Sequence, residues 1–179
     1  MTKKLEIRLS GTGGQGIILA GIILAEAAIH DGKNAIQSQS YGPEARGGAS
    51  KAEVIISDGE ILYPKVKQPD IFLALSQEAC DKYIGGVKDD CIVIIDSTIT
   101  LDEKKHKNMK IIRVPVISTA EDKLKKSMVA NIVALGAIVA STGVVSRDAL
   151  EKAVLSRVPK GTEELNKTAL SEGYALVRK

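Results

Sequence analysis

Two segments of this chain combine residue types and spacing that could do chemistry. The first, Gly11-Thr12-Gly13-Gly14-Gln15-Gly16, follows the pattern G-x-G-x-x-G between a strand-like and a helix-like stretch. Glycines let a backbone turn sharply and come close to a phosphate, and the unpaired N–H groups at the start of the next helix favour an anion. A dinucleotide site also requires an acidic residue about 20 positions further on, at the end of the second strand. The corresponding stretch, Ile36-Gln37-Ser38-Gln39-Ser40, has no acid for a ribose hydroxyl and no arginine for a 2′-phosphate. Residues Gly11, Thr12, Gly13, Gly14, Gln15 and Gly16 are therefore a candidate anion site unlike an NAD site, or else a joint that packs the first helix against the sheet.

The second segment is Tyr41-Gly42-Pro43-Glu44-Ala45-Arg46-Gly47-Gly48, whose glycines and proline make it a loop. Arg46 presents a planar, two-pronged donor suited to a carboxylate or a phosphate. It could equally form an internal pair with Glu44 or Glu53. Both segments follow the carboxyl ends of predicted strands, where open α/β sheets place their ligands.

Other chemistry is hard to assemble. The 179 residues include no Trp, one Phe, four Tyr, two Cys and two His. Cys80 and Cys91 cannot ligate an iron–sulfur cluster, which usually takes four thiolates, and no His, Cys or Asp pair has metal-ligand spacing, so no metal site is expected. Both cysteines read as small core residues. His30 at a helix end and His106 in a charged run read as solvated, so no Ser/His/Asp or Cys/His arrangement emerges. Few aromatics and a net charge of only +3 argue against nucleic acid. The N-terminal stretch lacks the pattern of a secretory signal, so a cytoplasmic location is expected. Met128 to Val145 is the longest apolar run, but Asn131, Gly136, Ser141, Thr142 and Gly143 interrupt it, which favours a buried or interfacial helix over a membrane span.

The elements that must position these segments are those of an α/β fold. Alternation over 4–9, the glycine turn, a helix from about Gln15 to His30 and a short strand near Asn34 to Gln37 resemble the opening β-α-β of a doubly wound sheet, with the second strand parallel to the first. Segments 50–57 and 60–63 flank Asp58-Gly59, which predicts an inserted antiparallel hairpin. Apolar strands follow at 71–75, 91–95 and 110–114. Ser76 can cap a helix that Gly85-Gly86 ends. Ser118-Thr119-Ala120-Glu121 has capping-box spacing and predicts a helix running to Gly143, and Ser146 and Thr162 cap two more. The expected architecture is one Rossmann-like, three-layer domain over 1–179, with a mostly parallel sheet and a helical C-terminal region.

The turn at 11–16, the loop Ser40 to Gly48, the stretch Asn131-Ile132-Val133-Ala134-Leu135-Gly136 and the tail Val158 to Asn166 together resemble the gamma subunit of 2-oxoacid:ferredoxin oxidoreductases. The Tyr41 to Gly48 loop is most similar to the 2-oxoglutarate branch. The resemblance implies a multi-subunit enzyme that converts a 2-oxoacid, CoA and oxidised ferredoxin to an acyl-CoA, CO2 and reduced ferredoxin. It places thiamine diphosphate, Mg²⁺ and iron–sulfur clusters on partner alpha, beta and ferredoxin-like delta subunits. It gives this chain no catalytic residue of its own, only a share of the CoA side of the active site through 11–16 and Arg46. The isolated chain could also form a homodimer through surfaces meant for its partners. The alternatives are a free-standing nucleotide-binding protein, a structural scaffold, and a pyruvate or branched-chain member of the same family.

Overall fold

The computed structural model describes residues 3–40 and 48–177. Six strands, β1 (Lys4–Thr12), β2 (Asn34–Gln39), β3 (Ala49–Ser57), β4 (Ile71–Ala74), β5 (Ile92–Asp96) and β6 (Lys110–Val114), form one sheet in the order β2-β3-β1-β4-β5-β6. The run β1-β4-β5-β6 is parallel, while β3 is antiparallel to both of its neighbours, β1 and β2. The second strand thus points the same way as the first, as β-α-β logic requires, but β3 lies between them.

The inserted antiparallel strand is present with a different partner from the one the Asp58-Gly59 signal suggests. Both edges of β3 are taken, by Lys4–Thr12 on one side and Asn34–Gln39 on the other. No edge is left for 60–63, which runs as irregular chain with Leu62 and Tyr63 exposed. Gly59 is instead held by its N–H donating to Ser57 Oγ and its carbonyl accepting from Asn34 Nδ2.

Alternation along the strands gives the sheet two apolar faces. Ile7, Leu9, Val54, Leu73 and Ile94 look toward α1 (Ile17–His30), α4 (Ala130–Thr142), α5 (Arg147–Arg157) and α6 (Glu163–Leu176). Phe72, Ala74, Val93 and Ile95 look toward α2 (Gln77–Tyr83), together with Cys80 and Cys91. Burial pushes these two thiols up, to about 11 and about 12, so neither is a ready nucleophile.

Helix ends follow local rules where a free hydroxyl precedes a helix. Ser76 Oγ accepts from Ala79 N and Ser146 Oγ from Ala149 N, and Gly143 closes α4 in the left-handed region at φ 61°. The capping box at 118–121 does not form. Ser118 already has helical dihedrals, continuing the short α3 (Val116–Ser118) that starts after Pro115, and its hydroxyl donates to the Pro115 carbonyl. A π-helical turn follows over Thr119–Lys123, Lys125 adopts φ 55°, and a 3₁₀ turn at Ser127–Val129 leads into α4. The expected single helix is therefore two pieces. Thr162 precedes α6 but does not cap it through its side chain; its hydroxyl donates to the Pro159 carbonyl.

The apolar run from Met128 settles into the core. Ala130 to Val139 is buried throughout, while Met128 is exposed. Among the described residues no helix is long and apolar enough to cross a membrane.

Candidate functional site

The glycine turn lies at the carboxyl end of β1, next to the point where the connections diverge. The chain after β1 passes through α1 toward β2, and the chain after β4 passes through α2 toward β5. Open α/β sheets bind ligands in the crevice at such a switch point. Here the side chain of Gln15 bridges it. Gln15 Oε1 accepts from Thr12 N at 2.7 Å, and its Nε2 donates to the Leu75 carbonyl at 3.4 Å. A Cβ on Gly11 would meet Gln15 Oε1 at 2.4 Å, so glycine at 11 makes room for this clip. Gly11 and Gln15 thus shape the turn from inside.

The residues that face outward are different. Thr12, Gly13, Gly14, Gly16, Ile17 and Ile18 line a cavity of about 270 Å³, completed by Leu19 and by Ser50 of β3. Gly14 and Gly16 have φ of 89° and 71°, the left-handed region that side chains rarely adopt. Gly16 is the residue before α1, no side chain caps the helix, and its first turn holds no acidic residue. The first N–H groups of a helix have no partner within it, and its dipole is positive there, so the cavity offers an anion both donors and a favourable field.

The insertion of β3 also explains why the turn is unsuited to a dinucleotide. In a dinucleotide fold the second strand ends beside the turn and supplies the acid for the ribose. Here the start of β3 occupies that place: Thr12 pairs with Ala49, and Gly13 N donates to the Gly48 carbonyl. β2 is one strand further away.

Two residues join the site that sequence reasoning did not assign to it. Ser50 arrives through the β1–β3 register. Asn131 arrives through the packing of α4 on α1, its Nδ2 donating to the Gly16 carbonyl at 3.2 Å. In the sequence Asn131 opens one of the stretches that carry the family resemblance, and its residue type signals only a polar break in an apolar run. Beside it runs an apolar groove of about 240 Å³ between α1, α4 and α6, walled by Leu19, Met128, Ile132, Val158 and Leu165. Leu19 borders both spaces, so the groove lies next to the turn cavity.

Arg46 lies at 41–47, outside the described residues. Of the two carboxylates the sequence offers it, Glu53 is held by Arg8 and Lys51. His30 lies 3.9 Å from Glu26 at the opposite end of α1 from the glycine turn, and His106 lies in a 3₁₀ turn over Glu103–His106. Asp96, a buried carboxylate at the end of β5, accepts from Thr98 N, Thr98 Oγ1 and Ile117 N. It ties the turn after β5 to the start of α3.

A cofactor that needs a metal or cluster does not fit these residues. Among the described residues no three His, Cys, Asp or Glu side chains gather as metal ligands, and both cysteines are buried in the core.

Fold and site together define an α/β domain with a doubly wound strand order, an antiparallel strand inserted beside the first, and an anion-suited glycine turn. The chain belongs to the pyruvate ferredoxin/flavodoxin oxidoreductase family, which matches residues 6–176. It is 51% identical over 175 residues to the 2-oxoglutarate synthase subunit KorC of Methanocaldococcus jannaschii, covering 97% of this chain and 94% of that one. It is 52% identical, with a TM-score of 0.88, to the gamma subunit of a keto/oxoacid ferredoxin oxidoreductase from Geobacter sulfurreducens, covering 97% and 96% of the two chains. The same fold recurs in the 2-oxoglutarate:ferredoxin oxidoreductase of Magnetococcus marinus, solved with 2-oxoglutarate, coenzyme A and succinyl-CoA bound. There the TM-score is 0.86 at 24% identity, over 97% of this chain but 31% of that longer one.

Proposed function

We propose that this chain, as a single gamma-type domain over 1–179, is the gamma subunit of a cytoplasmic 2-oxoglutarate:ferredoxin oxidoreductase. In that role 2-oxoglutarate, CoA and oxidised ferredoxin become succinyl-CoA, CO2 and reduced ferredoxin on a complex with alpha, beta and ferredoxin-like delta subunits. Thiamine diphosphate, Mg²⁺ and the iron–sulfur clusters are assigned to those partners. The observation that carries the reading is similarity at 51% identity along nearly the whole length of a KorC subunit. The free-standing dinucleotide enzyme is disfavoured by β3, which takes the place beside the turn where a ribose-binding acid would end.

The chain's own contribution is to CoA. The outward face of the turn, Thr12, Gly13, Gly14 and Gly16, receives phosphate oxygens at the start of α1, and the uncharged arm follows the apolar groove past Leu19. Arg46 is the second phosphate contact in this proposal. Fixing one end of CoA in this way would hold its thiol near a reactive group on another subunit, and positioning of that kind can supply several kcal/mol of a barrier.

A complex assembled without this chain is expected to lose CoA-dependent reduction of ferredoxin or a dye with 2-oxoglutarate; full activity without it would overturn the proposal. A sharper test replaces Gly14, whose added Cβ would meet open space. Asn and Asp tolerate positive φ better than other side chains, so both fit the backbone at φ 89°. Gly14→Asp places a negative charge in the cavity and is expected to raise KM for CoA about tenfold, close to 1.4 kcal/mol. Gly14→Asn, equal in size and neutral, is expected to stay within about threefold, and equal effects from the two would show that charge is not what the turn recognises.

A further inference from the structure

We infer that Asn131 is a positioning residue for the glycine turn: its carboxamide fixes the first turn of α1 and thereby the affinity of the site for the phosphates of CoA. The inference rests on the CoA reading above and goes beyond it by naming a residue that never needs to touch the ligand.

Asn131 sits at the start of α4, 4% exposed, in a helix otherwise made of Ala, Ile, Val, Leu and Gly over its buried length. A carboxamide in such surroundings costs stability unless its hydrogen bonds are made. Both of its ends are used. Nδ2 donates to the Gly16 carbonyl at 3.2 Å, and Oδ1 accepts from the Ile132 N–H at 2.9 Å. Ile132 N–H belongs to the first turn of α4 and has no partner within that helix. The amide can therefore adopt only one orientation, since a flip would set oxygen against oxygen and N–H against N–H.

The group it holds is the pivot of the site. Gly16, at φ 71°, is where the chain leaves the turn and enters α1. Its carbonyl also accepts the first helical bond, from Ala20 N at 3.0 Å. With both bonds in place the peptide after Gly16, and with it the Ile17 N–H that opens the helix, is fixed in direction. The fit is close: a Cβ on Gly16 would lie 2.5 Å from Asn131 Nδ2. The first turns of α1 and α4 thus meet at one point, and neither contains an acidic residue that would occupy an anion's place.

The test uses the complete enzyme complex carrying Asn131→Asp or Asn131→Leu, with Gly14→Asp as reference. Asn131→Asp keeps the shape but turns a donor into an acceptor facing the Gly16 carbonyl. Asn131→Leu keeps the number and branching of side-chain heavy atoms and removes the bond without adding charge. Expected results are a rise in KM for CoA of about tenfold for Asp and at least threefold for Leu, with kcat and KM for 2-oxoglutarate within twofold of the parent. A residue that only joins two helices would lower the melting temperature and leave this split unmoved. The inference is overturned if both variants keep KM for CoA within twofold while Gly14→Asp raises it. It is also overturned if the rise is confined to Asp, which would report charge alone, or if kcat and both KM values change together. Failure of both variants to assemble would place Asn131 in the fold and likewise overturn it. If Gly14→Asp also leaves KM for CoA unchanged, the CoA reading itself fails and the inference falls with it.

Discussion

Gly173→Ala is expected to destabilise the chain by about 3 kcal/mol, the upper range for forcing extra atoms into a packed core. Gly173 of α6 crosses α4 with its Cα facing Gly136. A Cβ there would lie 2.2 Å from the Val133 carbonyl oxygen and 2.9 Å from Gly136 Cα, and the reciprocal Cβ on Gly136 would lie 2.6 Å from the Leu170 carbonyl oxygen. All of these are backbone atoms of helices and cannot rotate away. The helices would have to separate, and the close-packed contacts of Val133, Ala169 and Leu170 would loosen together. Helix propensity works in the opposite direction, favouring alanine over glycine by about 1 kcal/mol. The sign of the change in urea midpoint therefore decides which effect dominates: a midpoint that rises, at constant m, would contradict the crossing as described. Because α4 carries Asn131, a displaced α4 should also raise KM for CoA in the assembled complex.

The second large effect is expected at Glu53. Arg8 of β1 and Glu53 of β3 are register partners, and their side chains are 9% and 13% exposed. Arg8 Nε and Nη2 both reach Glu53 Oε1 at 2.8 Å, and Lys51 Nζ reaches the same oxygen at 3.1 Å. The Tyr83 ring lies over this cluster, 6.0 Å from the Arg8 guanidinium and 5.7 Å from Lys51. Glu53→Ala leaves a buried guanidinium beside an ammonium with no carboxylate between them, and is expected to cost about 3–5 kcal/mol. Replacing both members, Arg8→Met with Glu53→Met, should recover most of that loss, since apolar groups of similar volume remove the need to desolvate charge. Lys51, 27% exposed, can turn its ammonium to water in that background. Thermal unfolding of the single and double variants checks this: a double variant no more stable than Glu53→Ala would mean the cluster is not held by charge compensation.

Much of the architecture was legible because it is local. Continuous apolar runs identify β4 and β5 as strands buried on both faces, whereas β6, expected to be like them, is the edge strand and buries only Val114. A serine three positions before a helical N–H with no partner in its own helix identifies the caps at Ser76 and Ser146. Where a competing partner lay far away in sequence, the same reasoning failed. Asp58-Gly59 is a sound turn signal, yet 60–63 cannot pair with β3 because β1 and β2 already do. Ser118 is a sound cap, yet Pro115 starts the helix earlier and Lys125 ends it before α4 begins.

The candidate site divides along the same line. By itself the sequence determined the glycine turn, the missing ribose acid, the absence of cluster ligands and the family likeness, because each is a matter of residue type at short spacing. Tertiary structure alone decided which of those residues line the cavity. Gln15 and Gly11 turn inward because the Leu75 carbonyl stands across the crevice, Ser50 reaches the cavity because β3 inserts beside β1, and Asn131 reaches Gly16 across 115 residues because α4 packs on α1. The physical reason is that a hydrogen bond is satisfied by whatever group packing brings within about 3 Å, and no local pattern records which group that will be.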